Sequence, residues 1–180
     1  MKKVHITYFV HGTTTDNEAG LSSGWSDVGL SDLGKKQNLD LKELIKRSKF
    51  DIVFTSDLRR AKETANFVFN GTKIIEDKRL RELNYGVLQG AREEEIVYEK
   101  HISNRFPNGE SLKDVEKRMK EFLDYLKNNY SGKHVAVVAH KAPQLALDVL
   151  LNGMTWNQAI ENDWRHKKAW KPGWDYLLEC

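Results

Sequence analysis

The chain has 180 residues, of which 39% are hydrophobic and 31% are charged, and its formal net charge is +3. This composition is typical of one globular, soluble domain and excludes a disordered chain; no apolar run approaches the ~20 residues of a membrane-spanning helix, so no membrane association is expected. The mildly basic charge suits an anionic substrate and is too weak to indicate nucleic-acid binding, while the single cysteine, Cys180, and the lack of a signal-peptide core favour a cytoplasmic location.

The first predicted elements are a buried strand, a long loop and a helix. Residues 4–10 are apolar and rich in β-branched and aromatic side chains, which predicts a buried strand ending at His11. Residues 12–30 form a loop, and loops of this length in compact domains usually carry function. Ser31 is expected to cap the following helix. Apolar contacts of that helix are predicted at Leu33, Leu41, Leu44 and Ile45.

A second strand and helix follow, and then a third strand. Residues 51–55 predict the strand, and Ser56 or Asp57 is expected to cap a helix that runs to about Phe69. Residues 73–76 predict a short third strand.

The middle of the chain is predicted to be irregular before it becomes helical again. Residues 77–91 show no regular pattern, and residues 92–103 predict a charged helix. Ser111 opens a clearer helix with a one-sided apolar face. That face comprises Leu112, Val115, Met119, Phe122, Leu123 and Leu126.

The last part of the chain predicts a strand, a helix and a terminal edge strand. Residues 134–139 are a continuous apolar run, and a helix is expected from Pro143. Pro172 and Gly173 mark a turn before an edge strand at residues 174–178.

Alternation of strands and helices predicts a single domain of residues 1–180 with an α/β fold. We expect a three-layer α/β/α sandwich with a mostly parallel central sheet and a Trp-rich tail from about residue 155. Ligands of such sheets bind at the carboxyl ends of the strands. His11, a helix start that carries Arg59 and Arg60, and His140 follow three of the predicted strands and are therefore expected to meet at one rim.

These residue types fit phosphoryl transfer. Neutral imidazole is a good nucleophile, which suits His11, and Gly12 beside it is expected to let a ligand approach the backbone closely. Arg60 offers a planar fork for two phosphate oxygens, and His140 offers a further hydrogen bond. Glu82 is the candidate proton donor to the leaving oxygen.

A set of short motifs resembles those of the histidine phosphatase superfamily over residues 4–151. The matching segments are His11-Gly12-Thr13-Thr14 with Asn17, Leu30-Ser31-Asp32-Leu33-Gly34 with Gln37, Ser56-Asp57-Leu58-Arg59-Arg60-Ala61 with Thr64-Ala65, Leu80-Arg81-Glu82, Tyr85-Gly86-Val87-Leu88-Gln89-Gly90, Asn108-Gly109-Glu110-Ser111, and Val137-Val138-Ala139-His140. Each motif is weak alone, but their number and order are specific.

The resemblance implies a phosphoglycerate mutase-like fold and a metal-independent phosphatase that hydrolyses small-molecule phosphomonoesters through a phosphohistidine on His11. It implies catalytic roles for Arg60, Glu82 and His140, with Gly12 and Asn17 binding phosphate. No metal site and no cofactor are expected. The expected partner is a small anionic phosphoester, not nucleic acid or a membrane. The oligomeric state stays open, and a homodimer is one alternative.

Val10 departs from the family pattern, which places an arginine directly before the nucleophile. Loss of a donor that stabilises the transition state costs roughly a hundred- to a thousandfold in rate, so a slow enzyme is expected unless another cation substitutes. Lys141 is the candidate substitute, as a point charge without the bidentate geometry of arginine. The alternative is a pocket that binds phosphate ligands without turnover.

Mutase activity is a second alternative, because residues 85–90 look closer to the mutases than to generic phosphatases. Mutases carry an added segment after this motif, whereas here only residues 91–107 precede Asn108. A short insert predicts an open site and therefore hydrolysis.

Tryptophans and basic residues interleave in the tail. They are Trp156, Trp164, Arg165, His166, Lys167, Lys168, Trp170, Lys171 and Trp174. Such a pattern can form a stacking groove for single-stranded nucleic acid, but packing of the tryptophans onto the domain is the preferred interpretation. An intermediate hypothesis places the tail over the pocket mouth, where it helps to select the substrate.

Overall fold

Five strands form one mixed sheet at the centre of the fold. The computed structural model describes residues 2–163, 165 and 173–180. The strands are β1 (Lys3–Val10), β2 (Ile52–Thr55), β3 (Ile74–Glu76), β4 (His134–Ala139) and β5 (Trp174–Glu179). Their order across the sheet is β3-β2-β4-β1-β5, in which β5 is antiparallel to β1 and the other neighbours are parallel. The predicted, mostly parallel α/β fold is confirmed.

Helices of the described chain are α1 (Thr15–Glu18), α2 (Asp32–Ile45), α3 (Arg59–Val68), α4 (Leu112–Asn129), α5 (Lys141–Asn152) and α6 (Trp156–Glu161). Short 3₁₀ turns lie at Lys78–Leu80, Gly86–Leu88, Glu93–Glu95 and Tyr98–His101. None of the described helices is both long and apolar enough to cross a membrane.

Alternate strand residues face two separate apolar cores. Tyr8 and Phe54 point to the larger core, which α4, α5 and α6 cover. Phe9 and Val53 point to the smaller core, which α2 and α3 cover. Because side chains of a strand alternate between the two faces of a sheet, this pattern gives the three predicted layers.

Several local predictions are confirmed. Ser31 caps α2 by accepting a hydrogen bond from the backbone N–H of Gly34, as expected of a serine at this position. All six apolar residues predicted for the face of α4 are buried, and Ser111 and Asp114 form its capping box. The edge strand at the end of the chain is present as β5.

The predicted charged helix over residues 92–103 is wrong. The segment consists of two 3₁₀ turns, Glu93–Glu95 and Tyr98–His101. Its buried side chains, Ile96 and Tyr98, are two residues apart. On a helix with a single buried face, such a pair would lie on different faces, so burying both favours the irregular path.

The predicted cap of α3 is also wrong. The N-cap position is Leu58, whose apolar side chain cannot accept a hydrogen bond, and Asp57 forms a bidentate ion pair with Arg81. Ser56 does accept a hydrogen bond from the backbone N–H of Leu58. The ion pair ties the start of α3 to the segment that carries Glu82.

Smaller corrections concern element ends and exposed side chains. Leu33 and Leu44 are 47% and 60% exposed, so α2 contacts the core through Leu41 and Ile45 instead. The loop after His11 contains the one-turn helix α1, and α5 begins at Lys141 rather than at Pro143. The tail residues His166, Lys167, Lys168, Trp170, Lys171 and Pro172, with Trp164, lie outside the described residues.

Helix α2 packs so closely against the loop after His11 that the backbones of Gly34 and Thr13 are in contact. A Cβ atom added to Gly34 would overlap the carbonyl oxygen of Thr13 and lie 2.9 Å from its nitrogen. The same Thr13 nitrogen donates to the side chain of Gln37 at 2.8 Å. Glycine is therefore required at position 34 to hold the loop on the helix.

Substitution of Gly34 by alanine tests this contact. Alanine normally stabilises a helix relative to glycine by up to about 1 kcal/mol. Here we expect Gly34→Ala to lower the free energy of unfolding by about 1–3 kcal/mol, because the loop must move away. Urea unfolding measures the change, with exposed Lys36→Ala on the same helix as the control. A stabilising Gly34→Ala would contradict the close contact.

Candidate active site

Polar side chains converge where β1, β2 and β4 end. A cavity of about 410 Å³ opens at this edge of the sheet. His11, Asn17, Arg60, Glu82 and Lys141 line it. The ring of His140 lies beside it, with its centroid 5.0 Å from that of His11. The structure thus brings the sequence-predicted residues to one rim.

His11 is held as a neutral imidazole with one nitrogen directed at Arg60. Its Nδ1 lies 2.7 Å from the carbonyl oxygen of Gly12, and its Nε2 lies 3.2 Å from Nε of Arg60, which donates to it. A carbonyl only accepts, so the proton is on Nδ1 and the lone pair on Nε2. Burial, with the charge of Arg60, lowers the pKa of His11 to about 3. His11 is therefore a ready nucleophile at neutral pH.

Arg60 stands in the first turn of α3 and is buried beneath the loop after His11. Its Nη2 donates to the carbonyl of Gly24 at 2.7 Å, and its Nη1 donates to the carbonyl of Ser26 at 2.9 Å. Gly24 has φ +52°, a conformation that glycine adopts readily. The loop thus fixes the plane of the guanidinium against His11.

His140 follows β4 and is fully buried. Neither of its ring nitrogens has a hydrogen-bond partner within the described part of the chain. Burial and the charge of Arg60 lower the pKa of His140 well below its usual value. An unpaired buried polar group costs about 1–3 kcal/mol, so this ring indicates a ligand with hydrogen-bonding oxygens.

Glu82 lies at the N-terminus of α5. Its Oε1 accepts from the backbone N–H of Leu83 at 2.8 Å and of Ala142 at 3.0 Å, and its Oε2 accepts from that of Lys141 at 3.1 Å. The first N–H groups of a helix lack partners within the helix. Glu82 satisfies two of them and is thereby fixed beside the cavity.

Arg118 supports the segment of Glu82 and was missed by sequence reasoning. Its Nη1 donates to the carbonyl of Arg79 at 2.6 Å, and its Nη2 donates to that of Glu82 at 3.0 Å. Glu110 pairs with Arg118 and accepts from the backbone N–H of Asn84 at 3.0 Å. Arg118 follows buried Val115 by three residues on α4, so it lies on the face of the helix that packs inwards, and this spacing was the available signal.

Gly12 and Asn17 are placed differently from each other. A Cβ atom on Gly12 would lie 2.7 Å from the carbonyl oxygen of Gly34, so this glycine makes room for α2 rather than for a ligand. Its own carbonyl orients His11. Asn17 lines the cavity, and its Oδ1 accepts from the backbone N–H of Thr14 in the capping box of α1.

Lys141 shares the buried carboxylate of Asp163 with Arg165. Its Nζ lies 3.3 Å from Oδ2 of Asp163 and 4.3 Å from the ring centroid of Tyr98. Burial alone would lower the pKa of Lys141, but Tyr98 and Asp163 outweigh it and raise the pKa. Val10 and Arg165 line the same cavity. Sequence reasoning placed Arg165 only in the tail and missed this position.

Some of the remaining tail predictions concern described residues, and others concern residues outside the described chain. Trp156 is buried in α6, where its Nε1 donates to Glu116 at 2.6 Å, and Trp174 packs edge-on against Tyr8. These two tryptophans pack onto the domain, as the preferred interpretation holds. The nucleic-acid interpretation depends on residues outside the described chain, so the described residues do not test it.

Comparison with known proteins agrees with the motifs. The family model of the histidine phosphatase superfamily, branch 1, matches residues 8–174. A phosphoglycerate mutase of Schizosaccharomyces pombe is 31% identical in an alignment that covers 85% of this chain and 82% of the relative. Phosphoserine phosphatase 1 of Hydrogenobacter thermophilus is 29% identical in an alignment that covers 80% of this chain and 74% of the relative. The structure of a phosphoserine phosphatase mutant from Entamoeba histolytica in complex with phosphoserine matches with TM-score 0.76 at 25% identity, covering 88% and 84%.

The depressed pKa of His11 predicts acid sensitivity of the fold. Below pH ~6.5 the unfolded chain binds a proton at this histidine while the folded chain does not, so stability falls as the pH drops from about 6.5 towards 3. We plot the free energy of unfolding against pH and expect His11→Asn to reduce its slope by up to about 1.4 kcal/mol per pH unit. Urea titrations between pH 6.5 and 4.5 measure it.

The test compares the variant with wild type because burial also lowers the pKa of His140 and of His134, which adds acid sensitivity to both proteins. Equal slopes for the two proteins would contradict a neutral, buried His11.

Proposed function

The chain belongs to the histidine phosphatase superfamily, and we propose that it is a metal-independent phosphatase that hydrolyses small-molecule phosphomonoesters through a phosphohistidine at His11. One observation carries the proposal: His11 keeps its proton on Nδ1 and presents Nε2 to the cavity beside Arg60. The unpaired ring of His140 supports it by indicating an oxygen-bearing ligand.

The first half-reaction transfers the phosphoryl group to the enzyme. Nε2 of His11 attacks phosphorus, a P–N bond forms and the P–O bond to the leaving group breaks. The guanidinium of Arg60 and an N–H of His140 stabilise charge on the phosphoryl oxygens. Asn17 contributes its amide from α1. Glu82 gives a proton to the leaving oxygen, which departs as the alcohol.

The second half-reaction releases phosphate. A water molecule gives a proton to Glu82 and attacks phosphorus, the P–N bond breaks, and His11 regains its lone pair. Orthophosphate then leaves. His11 is partly exposed at the cavity, so water has access to the phosphohistidine.

Hydrolysis is favoured over isomerisation by the segment that borders the cavity. Residues 91–107 form a short insert with two 3₁₀ turns, without the added segment expected of a mutase, and a short insert favours an open site that water reaches. A mutase would instead isomerise a phosphoglycerate primed with bisphosphoglycerate, and a non-catalytic binder would hold phosphate without turnover. Both are outcomes of a phosphoester turnover screen on the purified protein.

Loss of His11 tests the nucleophile. We expect His11→Ala to lower phosphatase activity by at least ~10³-fold, because no covalent intermediate forms. His5→Ala is the matched control, since His5 lies on the same strand and away from the cavity. Mass spectrometry of rapidly quenched wild-type protein should find the phosphoryl group on His11. Unchanged turnover in His11→Ala would refute the proposal.

Loss of the carboxyl at position 82 tests the proton donor. We expect Glu82→Gln to lower kcat/KM for an alkyl phosphate by ~10²–10⁴-fold, because its alkoxide leaving group needs a proton. The loss for p-nitrophenyl phosphate should be much smaller, since its leaving group is a weaker base. Glu93→Gln, another carboxyl at the cavity, is the control and should affect both substrates alike. Equal losses for both substrates in Glu82→Gln would exclude Glu82 as the acid.

A further inference from the structure

Positive charge at the cavity is not supplied by Arg60 alone. Each of its three nitrogens already donates, to His11, Gly24 and Ser26. A phosphoryl group brings two negative charges into a partly buried space, where unbalanced charge is costly. Among the described residues that line the cavity, the other cations are Lys141 and Arg165.

Asp163 fixes these two cations beside the cavity. Its carboxylate has no solvent exposure, its Oδ1 lies 2.7 Å from Nη1 of Arg165, and its Oδ2 lies 3.3 Å from Nζ of Lys141. Burial alone would raise the pKa of Asp163, but Arg165 and Lys141 outweigh it and lower the pKa. Asp163 therefore holds two cations beside the cavity, where Glu93 also lies 3.9 Å from Nζ of Lys141.

Arg165 is the member of this cluster on the side of β1. Its guanidinium lies over the ring of Trp174 at 5.9 Å, and Trp174 packs against Tyr8. Tyr8 precedes Val10 by two residues on the same strand. The charge of Arg165 also contributes to the lowered pKa of His11, which places it within electrostatic reach of the nucleophile. Lys141 is directed instead towards Tyr98.

We propose that Arg165 binds the transferred phosphoryl group and replaces, from a different part of the chain, the cation that Val10 does not provide. Asp163 is its positioning residue. A guanidinium has five N–H donors, so pairing with Asp163 is compatible with donation to phosphoryl oxygens. The planar fork gives Arg165 the bidentate geometry that Lys141 lacks. The inference rests on the proposed phosphatase function.

The first experiment compares Arg165→Gln with wild type, using p-nitrophenyl phosphate turnover and inhibition by inorganic phosphate. We expect kcat/KM to fall by about 10- to 100-fold and phosphate inhibition to weaken, as for loss of a charged hydrogen bond. Arg105→Gln is the matched control, because Arg105 also pairs with an aspartate, Asp114, but lies outside the cavity lining. Arg165→Lys keeps the charge beside Asp163 and should give an intermediate loss.

The second experiment restores the cation from β1. In an Arg165→Gln background, Val10→Arg should raise kcat/KM by about tenfold or more over Arg165→Gln alone, because the new guanidinium reaches the same phosphoryl group. The same Val10→Arg change should give a smaller gain in wild type, where Arg165 is present. A structural role of Arg165 in the tail would not be rescued by a charge at position 10.

The outcomes separate the two proposals. Absence of both turnover and phosphate binding in the wild type overturns the phosphatase function itself. An active wild type in which Arg165→Gln behaves like Arg105→Gln overturns the role of Arg165 alone. Loss in Arg165→Gln without rescue by Val10→Arg also overturns it, provided that thermal melting shows the variants folded.

Discussion

The hydrogen bond from Nδ1 of His11 to the carbonyl of Gly12 sets the chemistry of the whole site. It assigns the single proton of a neutral imidazole to one nitrogen and leaves a lone pair on the other. Burial then keeps the ring neutral, and Nε of Arg60 donates to Nε2 at 3.2 Å. Gly12 adopts its position because α2 packs closely against it. The orientation of the nucleophile therefore follows from how the loop after β1 meets a helix.

Other parts of the fold serve the same edge of the sheet. Parallel strands β1, β2 and β4 end together, which places His11, the start of α3 with Arg60, and His140 within contact. His11 and Arg60 hydrogen-bond to each other, whereas the two ring nitrogens of His140 have no partner within the described part of the chain. The free energy that this arrangement costs is offset by the apolar packing on both faces of the sheet. A ligand with several oxygens would remove part of that cost.

Sequence reasoning predicted the strands and helix faces that a local pattern of apolar residues determines. Continuous apolar runs identified β1, β2 and β4, and helical spacing identified the buried face of α4. It failed where tertiary contacts decide. The segment around Ile96 and Tyr98 buries side chains two residues apart, which is not the spacing of a helix with a single buried face, and Asp57 pairs with Arg81 rather than capping α3. Gly12 was assigned to the ligand, yet its lack of a side chain serves the packing of α2.

The proposed role of Arg165 shows why a motif with one missing residue is weak evidence for lost activity. Electrostatic stabilisation depends on the distance between a charge and the reacting group, not on the position of the charge along the chain. A cation removed from the end of β1 is replaceable by any segment that reaches the same edge of the sheet. Arg165 does so, since it lines the cavity and its guanidinium lies over the ring of Trp174 on β5, the strand that pairs with β1. Charge must therefore be counted around the cavity in three dimensions. By that count the site has a second arginine, Arg165, although Val10 stands directly before the nucleophile.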